Sequence, residues 1–265
     1  MGPLSLPSPR SGGGRESWRV IRAEAVPAHL HMALDEVLLG RVIAGARPPT
    51  LRLWRWNEPA LVLGSHQSVA NEIDLEEAER LGFTLTRRIS GGGTMLCGPG
   101  RTLTWSLYTD AAAVQGMSFV DSFRFLDAFA VDALRSLGVD ASYRPINDIV
   151  SPRGKIAGAA QARRRHCVLH HTTLAYAMDP DLVPRLIRIG RDRVSDRGIR
   201  SAEKVVSPLN WFTAATLEEV EQRMAESFET QHETQPDGVS PEELDEALAL
   251  VESRYSTPEW IFRLP

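Results

Sequence analysis

The chain has little cysteine, no excess of positive charge and no long apolar run. Its two cysteines, Cys97 and Cys167, stand among 265 residues. Two thiols cannot build a disulfide framework, which points to a reducing, cytoplasmic setting. Lys+Arg number 30 and Asp+Glu 34, a net charge of −4. Nucleic-acid footprints carry a basic excess, so no nucleic-acid partner is expected. No stretch approaches the roughly 18 apolar residues of a membrane span, so no membrane association is expected. Residues 1–17 are rich in Gly, Pro and Ser and lack the apolar core of a signal peptide. They are expected to form a disordered leader. Leucine at position 6 breaks the N-myristoylation pattern.

A hydrophobic share of 43% and a charged share of 24% are those of a globular protein. The length allows one large domain, or one domain with a small appendage. Leu30, Ala33, Leu34, Val37 and Leu38 recur at helical spacing and predict a helix with one apolar face over 28–39. Residues 51–56 and 60–63 read as strands, the second stopping at Gly64. Asp74 and Glu77 make a capping-box pattern for a helix over 74–81, ended by Gly82. Strands are expected at 83–88 and 102–108, and one long helix at 118–137. Residues 146–178 read as strands and turns. Thr216 with Glu219, and Ser240 with Pro241 and Glu243, open two closing helices, with a polar linker at 229–238 between them. Strands and helices mix without regular alternation, which favours an α+β fold of mixed sheets with packed helices.

Two segments carry candidate chemistry. The first is Arg87-Arg88-Ile89-Ser90-Gly91-Gly92-Gly93. Consecutive glycines after a strand let the backbone approach a ligand, and their N–H groups can line an anion site. The two arginines are suited to a phosphate or carboxylate. The spacing is neither that of a Walker loop nor that of a dinucleotide fingerprint. A plain hairpin turn is the competing reading. The second is Gly154-Lys155-Ile156-Ala157-Gly158-Ala159-Ala160-Gln161, where small residues flank one lysine. Such an ammonium can stabilise charge developing on a carbonyl and a phosphate leaving group. A solvated surface lysine is the alternative. Asn147 and Asp148, just upstream, are placed to orient Lys155 or a metal on a triphosphate, or simply to cap a turn.

His166, Cys167, His170 and His171 invite a zinc reading, but their spacing matches no common structural site. Neighbouring strand residues point to opposite faces, so His170 and His171 do not readily share a metal, and no protein-held metal is expected. Cys97 lies just past the glycines, where amides can lower a thiol pKa. The favoured reading, for it and for Cys167, is an ordinary small apolar residue.

The order of these pieces resembles the lipoate–protein ligase A family of the biotin/lipoate protein ligase superfamily. The resemblance runs through His31-Met32-Ala33-Leu34-Asp35-Glu36, Leu63-Gly64-Ser65-His66-Gln67 and Asn71-Glu72. It continues through Arg87 to Thr94, Asn147-Asp148, Gly154 to Gln161, Leu169-His170-His171-Thr172-Thr173-Leu174 and Ser201 to Leu209. It implies a catalytic domain over 18–212 and a small helical segment over 213–265. It further implies an acyl-adenylate-forming ligase that joins lipoate or octanoate to a lysine of a lipoyl carrier domain. Such carriers are the E2 component of a 2-oxoacid dehydrogenase and the glycine-cleavage H protein. ATP with Mg²⁺ would be the co-substrate. Lys155 would be catalytic and touch both acyl group and phosphate. Arg88, Gly93, Thr94, Met95 and Leu96 would bind the nucleotide. Ser90, Gly91, Gly92, Gly93 and His171 would wall the acyl pocket, with Asn147 and Asp148 in support.

The sequence also departs from the pattern. Cys97-Gly98-Pro99-Gly100 stands where a His-Asp pair is frequent, and Ser65 where arginine is common. About 50 residues follow Phe212, too few for the accessory domain that some members carry, so that domain is expected to be missing or to be supplied by a separate accessory protein. Related octanoyl and lipoyl transferases use a thioester-forming cysteine. One type places it before the lysine motif, where this chain reads Arg144-Pro145-Ile146-Asn147-Asp148-Ile149-Val150. The other type places it beyond the lysine, but Cys167 abuts the Leu169-His170-His171 strand. A ligase is therefore preferred to a transferase, with a non-catalytic lipoate or biotin binder as a third reading.

Overall fold

The computed structural model describes residues 17–22 and 24–264. The expected leader, apart from position 17, lies outside these residues. The strands are β1 (Trp18–Arg22), β2 (Thr50–Arg55), β3 (Ala60–Leu63), β4 (Thr84–Arg87), β5 (Met95–Cys97), β6 (Thr102–Asp110), β7 (Ser142–Arg144), β8 (Asp148–Ser151), β9 (Gly154–Arg164), β10 (Cys167–Ala175) and β11 (Thr234–Asp237). The helices are α1 (Ala28–Ile43), α2 (Val69–Glu72), α3 (Leu75–Arg80), α4 (Phe119–Leu126), α5 (Ala128–Ser136), α6 (Leu182–Leu186), α7 (Leu217–Glu229), α8 (Pro241–Leu250) and α9 (Pro258–Ile261).

An eight-stranded sheet runs in the order β11-β1-β2-β6-β10-β9-β8-β7, and a three-stranded sheet in the order β4-β3-β5. The large sheet is antiparallel except around β1, which pairs in parallel with β2 and β11. This is the expected α+β arrangement of mixed sheets with packed helices. One apolar cluster lies between the sheet and α4, α5 and α7, where Trp105, Phe129 and Phe228 are buried. A second lies around α1, with Trp54, Trp56 and Tyr108. A third lies under the small sheet and α6.

Three expectations change. Helix α1 is buried on nearly every side, not along one stripe, because α8 covers the face turned away from β6 and β10. The single helix expected over 118–137 is two helices broken at Asp127. Its carboxylate turns inward and accepts hydrogen bonds from Trp105 (3.0 Å) and Thr172 (2.8 Å). Bonding of this kind competes with helix continuation at Asp. The polar stretch expected to link the last two helices is β11, where Trp18 pairs with Thr234 and Ile21 with Asp237. The open edge of β1 supplies donors and acceptors that no hydropathy pattern reveals, and Pro236 is tolerated because β11 is itself an edge.

Two capping boxes, at Thr216/Glu219 and Ser240/Glu243, form as read. At α3 the Asp74 side chain accepts from Glu77 N.

Candidate active site

The glycine loop joins β4 to β5 at the rim of the small sheet, and Lys155 opens β9 of the large one. Between them lies a cavity of about 440 Å³. Arg88, Gly91, Gly92, Gly93, Thr94, Met95, Leu96, Asn147 and Lys155 all line it. Its cationic lining is completed by Arg200 and Lys204, and among the described residues no carboxylate lines it. The remaining wall is largely apolar, with Phe119 and Phe123 from α4 and Met178, Val183, Ile187 and Ile189 from around α6.

The loop is held open by its neighbours. Gly64 packs so tightly under it that a Cβ there would sit 2.1 Å from Gly92 O. The Arg88 guanidinium donates to Ser90 Oγ (3.0 Å), Val62 O (2.9 Å), Gly91 O (2.6 Å) and Gly93 O (2.8 Å). With the carbonyls bound inward, the N–H groups of Gly91, Gly92 and Gly93 donate to nothing else among the described residues. Free amides of this kind form an anion cradle. Burial lowers Arg88 to about 10, still protonated near neutrality. Its role is thus first to shape the loop. Arg87, read beside it as a phosphate ligand, faces elsewhere. It is buried and donates to Gly64 O (2.8 Å), Gln67 O (2.7 Å) and Ile261 O (2.7 Å).

Ser90 and His171 meet, but they do not line the cavity. Ser90 Oγ lies 2.6 Å from His171 Nε2, and His171 Nδ1 lies 2.8 Å from Asp35 Oδ2. All three are buried beneath the loop. Burial lowers the His171 pKa despite the Asp35 carboxylate. Burial alone would raise Asp35, but the His171 hydrogen bond and the Arg52 charge hold it below its ordinary value. The neighbour His170 points the other way, 2.9 Å from Asp127 Oδ1. Each histidine therefore finds a carboxylate on its own face of β10, as strand alternation requires.

Lys155 reaches Asp148 Oδ1 at 3.0 Å. Burial lowers its pKa, Asp148 opposes that, and Lys204 and Arg88 add to it. Its side chain crosses Gly158, where a Cβ would lie 2.2 Å from Nζ. Asn147 Nδ2 donates to Ala159 O at 2.5 Å and ties the β8 approach to β9. Asp148 thus pairs with Lys155, as the first of the three readings of its position would have it.

Sequence reasoning missed Lys204, whose ammonium bonds Asp148 Oδ2. It also missed the purpose of Asn71 and Glu72. Asn71 Oδ1 accepts from Val194 N (2.8 Å) and Ser195 N (3.0 Å). Glu72 accepts from Ser201 N and Ser201 Oγ, and that Oγ receives Thr94 N at 2.9 Å. Together they fasten the 194–204 segment over the cavity. For Glu72 and Ser201 both ends stood among the quoted motifs, but nothing linear joined them; Val194 and Ser195 stood in none.

Neither thiol faces the cavity. Cys97 is buried and burial pushes its pKa up strongly. Cys167 is buried and pushed up to about 11 by desolvation and by Asp110. A nucleophilic thiol needs the opposite shift. Among the described residues no group of His, Cys, Asp or Glu is arranged to hold a metal ion, and none of the helices is long and apolar enough to cross a membrane.

Comparison with known proteins places this fold and cavity in a family. The model of the lipoyl protein ligase A/B catalytic domain matches residues 27–229. The chain belongs to that family of lipoate ligases and octanoyltransferases. Octanoyltransferase LipM of Geobacillus kaustophilus is 29% identical, over 94% of this chain and 99% of the relative. Lipoate-protein ligase A subunit 1 of Thermoplasma acidophilum is 27% identical, over 87% and 90%. A crystal structure of lipoate-protein ligase A bound with ATP superposes with a TM-score of 0.80 at 25% identity, covering 94% of this chain and 100% of the other.

Proposed function

We propose that the protein is an ATP-dependent lipoate–protein ligase. It activates lipoate or octanoate as an acyl-adenylate and passes the acyl group to a lysine of a lipoyl carrier domain. One observation carries this reading: the cavity offers a lysine, free glycine amides and further cations, but no thiol. A transferase working through a thioester needs a cysteine at the cavity, whereas an adenylate-forming enzyme needs positive charge around phosphate and carbonyl.

In the first step a carboxylate oxygen attacks the α-phosphate, and the bond to the departing pyrophosphate breaks. The amides of Gly91 to Gly93 receive anionic oxygens, with Thr94, Met95 and Leu96 continuing that wall. Lys155, held by Asp148, balances charge on the acyl carbonyl and the α-phosphate. In the second step the carrier amine attacks the carbonyl, AMP leaves and the amine loses its proton. Arg88, and Ser90 through His171 and Asp35, keep the loop in shape. Mg²⁺ enters as part of the nucleotide substrate. With Asp148 occupied by two lysines and no carboxylate of the described residues in the lining, phosphate oxygens and water would hold it.

The second reading is an octanoyltransferase drawing on a carrier-bound acyl group, favoured by the relatives of that name. One experiment separates the two. A lipoyl domain is incubated with the protein, ATP, Mg²⁺ and lipoate or octanoate, and in parallel with octanoyl carrier protein alone. Mass spectrometry should find the acyl mass in the first reaction. Modification in the second reaction only would replace the ligase by the transferase. Modification in neither, with lipoate bound, would leave a binder.

A further inference from the structure

Asp148 is shared by two lysines, and one carboxylate cannot neutralise both. Lys155 takes Oδ1 at 3.0 Å and Lys204 takes Oδ2. The two ammoniums face the same cavity as Arg88 and Arg200, so uncompensated positive charge accumulates there. The arrangement is also fixed. Lys155 N donates to Val205 O (2.8 Å) and Ser207 N donates to Lys155 O (2.8 Å), which locks the backbone just after Lys204 to that of Lys155. On the other side, Glu72 holds Ser201 through its N–H at 3.0 Å and through its hydroxyl. Lys204 therefore stands between two anchored points at the cavity lining, with its side chain 32% exposed.

A lysine on a surface loop usually stays solvated. This one is brought beside a second cation at an electrostatic cost that an anionic occupant would relieve. A monovalent acyl carboxylate needs one such partner. A chain of phosphates spreads its charge over several oxygens and needs more. We infer that Lys204 is a substrate-binding residue for the triphosphate of the nucleotide, and thereby favours activation of a free acid by ATP over the use of a carrier-bound acyl donor. The inference rests on the adenylate-forming reading above. The same cationic chemistry would also suit the phosphate of a carrier-bound donor, so the test has an arm for each.

The measurement is acid-dependent exchange between ATP and pyrophosphate, with octanoate or lipoate. Lys204→Met should raise the KM for ATP about 10-fold, the loss expected for one charge-assisted contact, while kcat changes less than about 3-fold. Lys204→Arg should restore most of the affinity, and the KM for the acid should stay in place. Matching thermal melts and weaker ATP binding without acid would separate the effect from unfolding. An unchanged KM for ATP would overturn the inference, as would a rise confined to the acid or to an octanoyl-carrier donor. Absence of exchange in the wild-type protein would overturn the adenylate reading itself and Lys204's role with it.

Discussion

Gly158 has no side chain because Lys155 lies across it. A Cβ 2.2 Å from Nζ would meet the movable end of a side chain, so the fold should tolerate Gly158→Ala while the ammonium moves. Activity should fall at least about 10-fold, since a displacement near 1 Å costs up to 10²-fold in a positioned site. Melting temperatures alike and activity alike would sink this argument. Lys155→Ala should abolish turnover in the same assay. Cys97→Ser and Cys167→Ser should keep it, at a stability cost of about 1–2 kcal/mol for burying a hydroxyl. Loss of acyl transfer in either serine variant, with a trapped thioester on the wild-type protein, would restore the transferase.

Lys155 should also mark the pH profile. Its ammonium, lowered by burial, works only while charged, so activity is present at neutral pH and lost as pH rises through a value below the ordinary 10.5. Groups facing it are Asp148, Lys204 and Arg88. Removing Lys204's charge should move that alkaline limb upward. A limb that stays in place or moves down in Lys204→Met would contradict the geometry. At this scale the sequence was legible where small residues around one lysine joined an ordered family resemblance, as in Gly154 to Gln161. It was silent on Lys204, whose role depends on a partner 56 residues away.

Among the elements, the glycine loop and the 194–204 segment are shaped by hydrogen bonds and close packing from neighbouring elements. Gly64 ends β3 under the loop, and Arg88 binds the loop's carbonyls. Asn71 and Glu72, from the short helix α2, clamp the segment. Asn71→Ala should leave the chain folded but release that segment. The amides of Val194 and Ser195, which donate to Asn71 Oδ1, should then exchange hydrogen faster than those of β6, and local opening should extend towards Ser201. Equal protection of both amides in variant and wild type would show the clamp to be dispensable. The motifs around Gly64 and Asn71 were visible in the sequence as family signatures. Their mechanical purpose was not, because it lies in contacts between β3, α2 and a loop more than a hundred residues on. Helix α4 and helix α5 were likewise read as one, since hydrophobic spacing runs through Asp127 and cannot register a carboxylate turned to Trp105.

Across the whole molecule, the C-terminal segment is part of the main body. Helix α7 packs on α5, α8 packs on α1, and β11 extends the large sheet. Arg19 of β1 reaches Glu243 at 2.7 Å, both fully buried, so the segment is bonded to the first strand. Periodicity found both closing helices but missed this union, because a polar edge strand carries no apolar alternation. The joint gives the fold a pH dependence of its own. His232, just before β11, stacks on Phe228 with ring centroids 4.2 Å apart and on Trp18 at 5.3 Å. Burial pushes its pKa down from 6.5 to about 4. Above 6.5 the ring is neutral in both folded and unfolded chains and contributes no slope. Between 6.5 and about 4 the unfolded chain takes up a proton that the fold refuses, so stability falls as pH falls. His31 and His171, whose pKa values burial also lowers, contribute in the same direction, and His232→Leu isolates this one by keeping apolar contact and removing the titration. The difference in melting temperature between wild type and His232→Leu should therefore shift against the wild type as pH is lowered across that window. Parallel melting curves for the two proteins would mean that His232 is protonated as readily in the fold as out of it, and that the joint between β1 and the C-terminal segment is open to water.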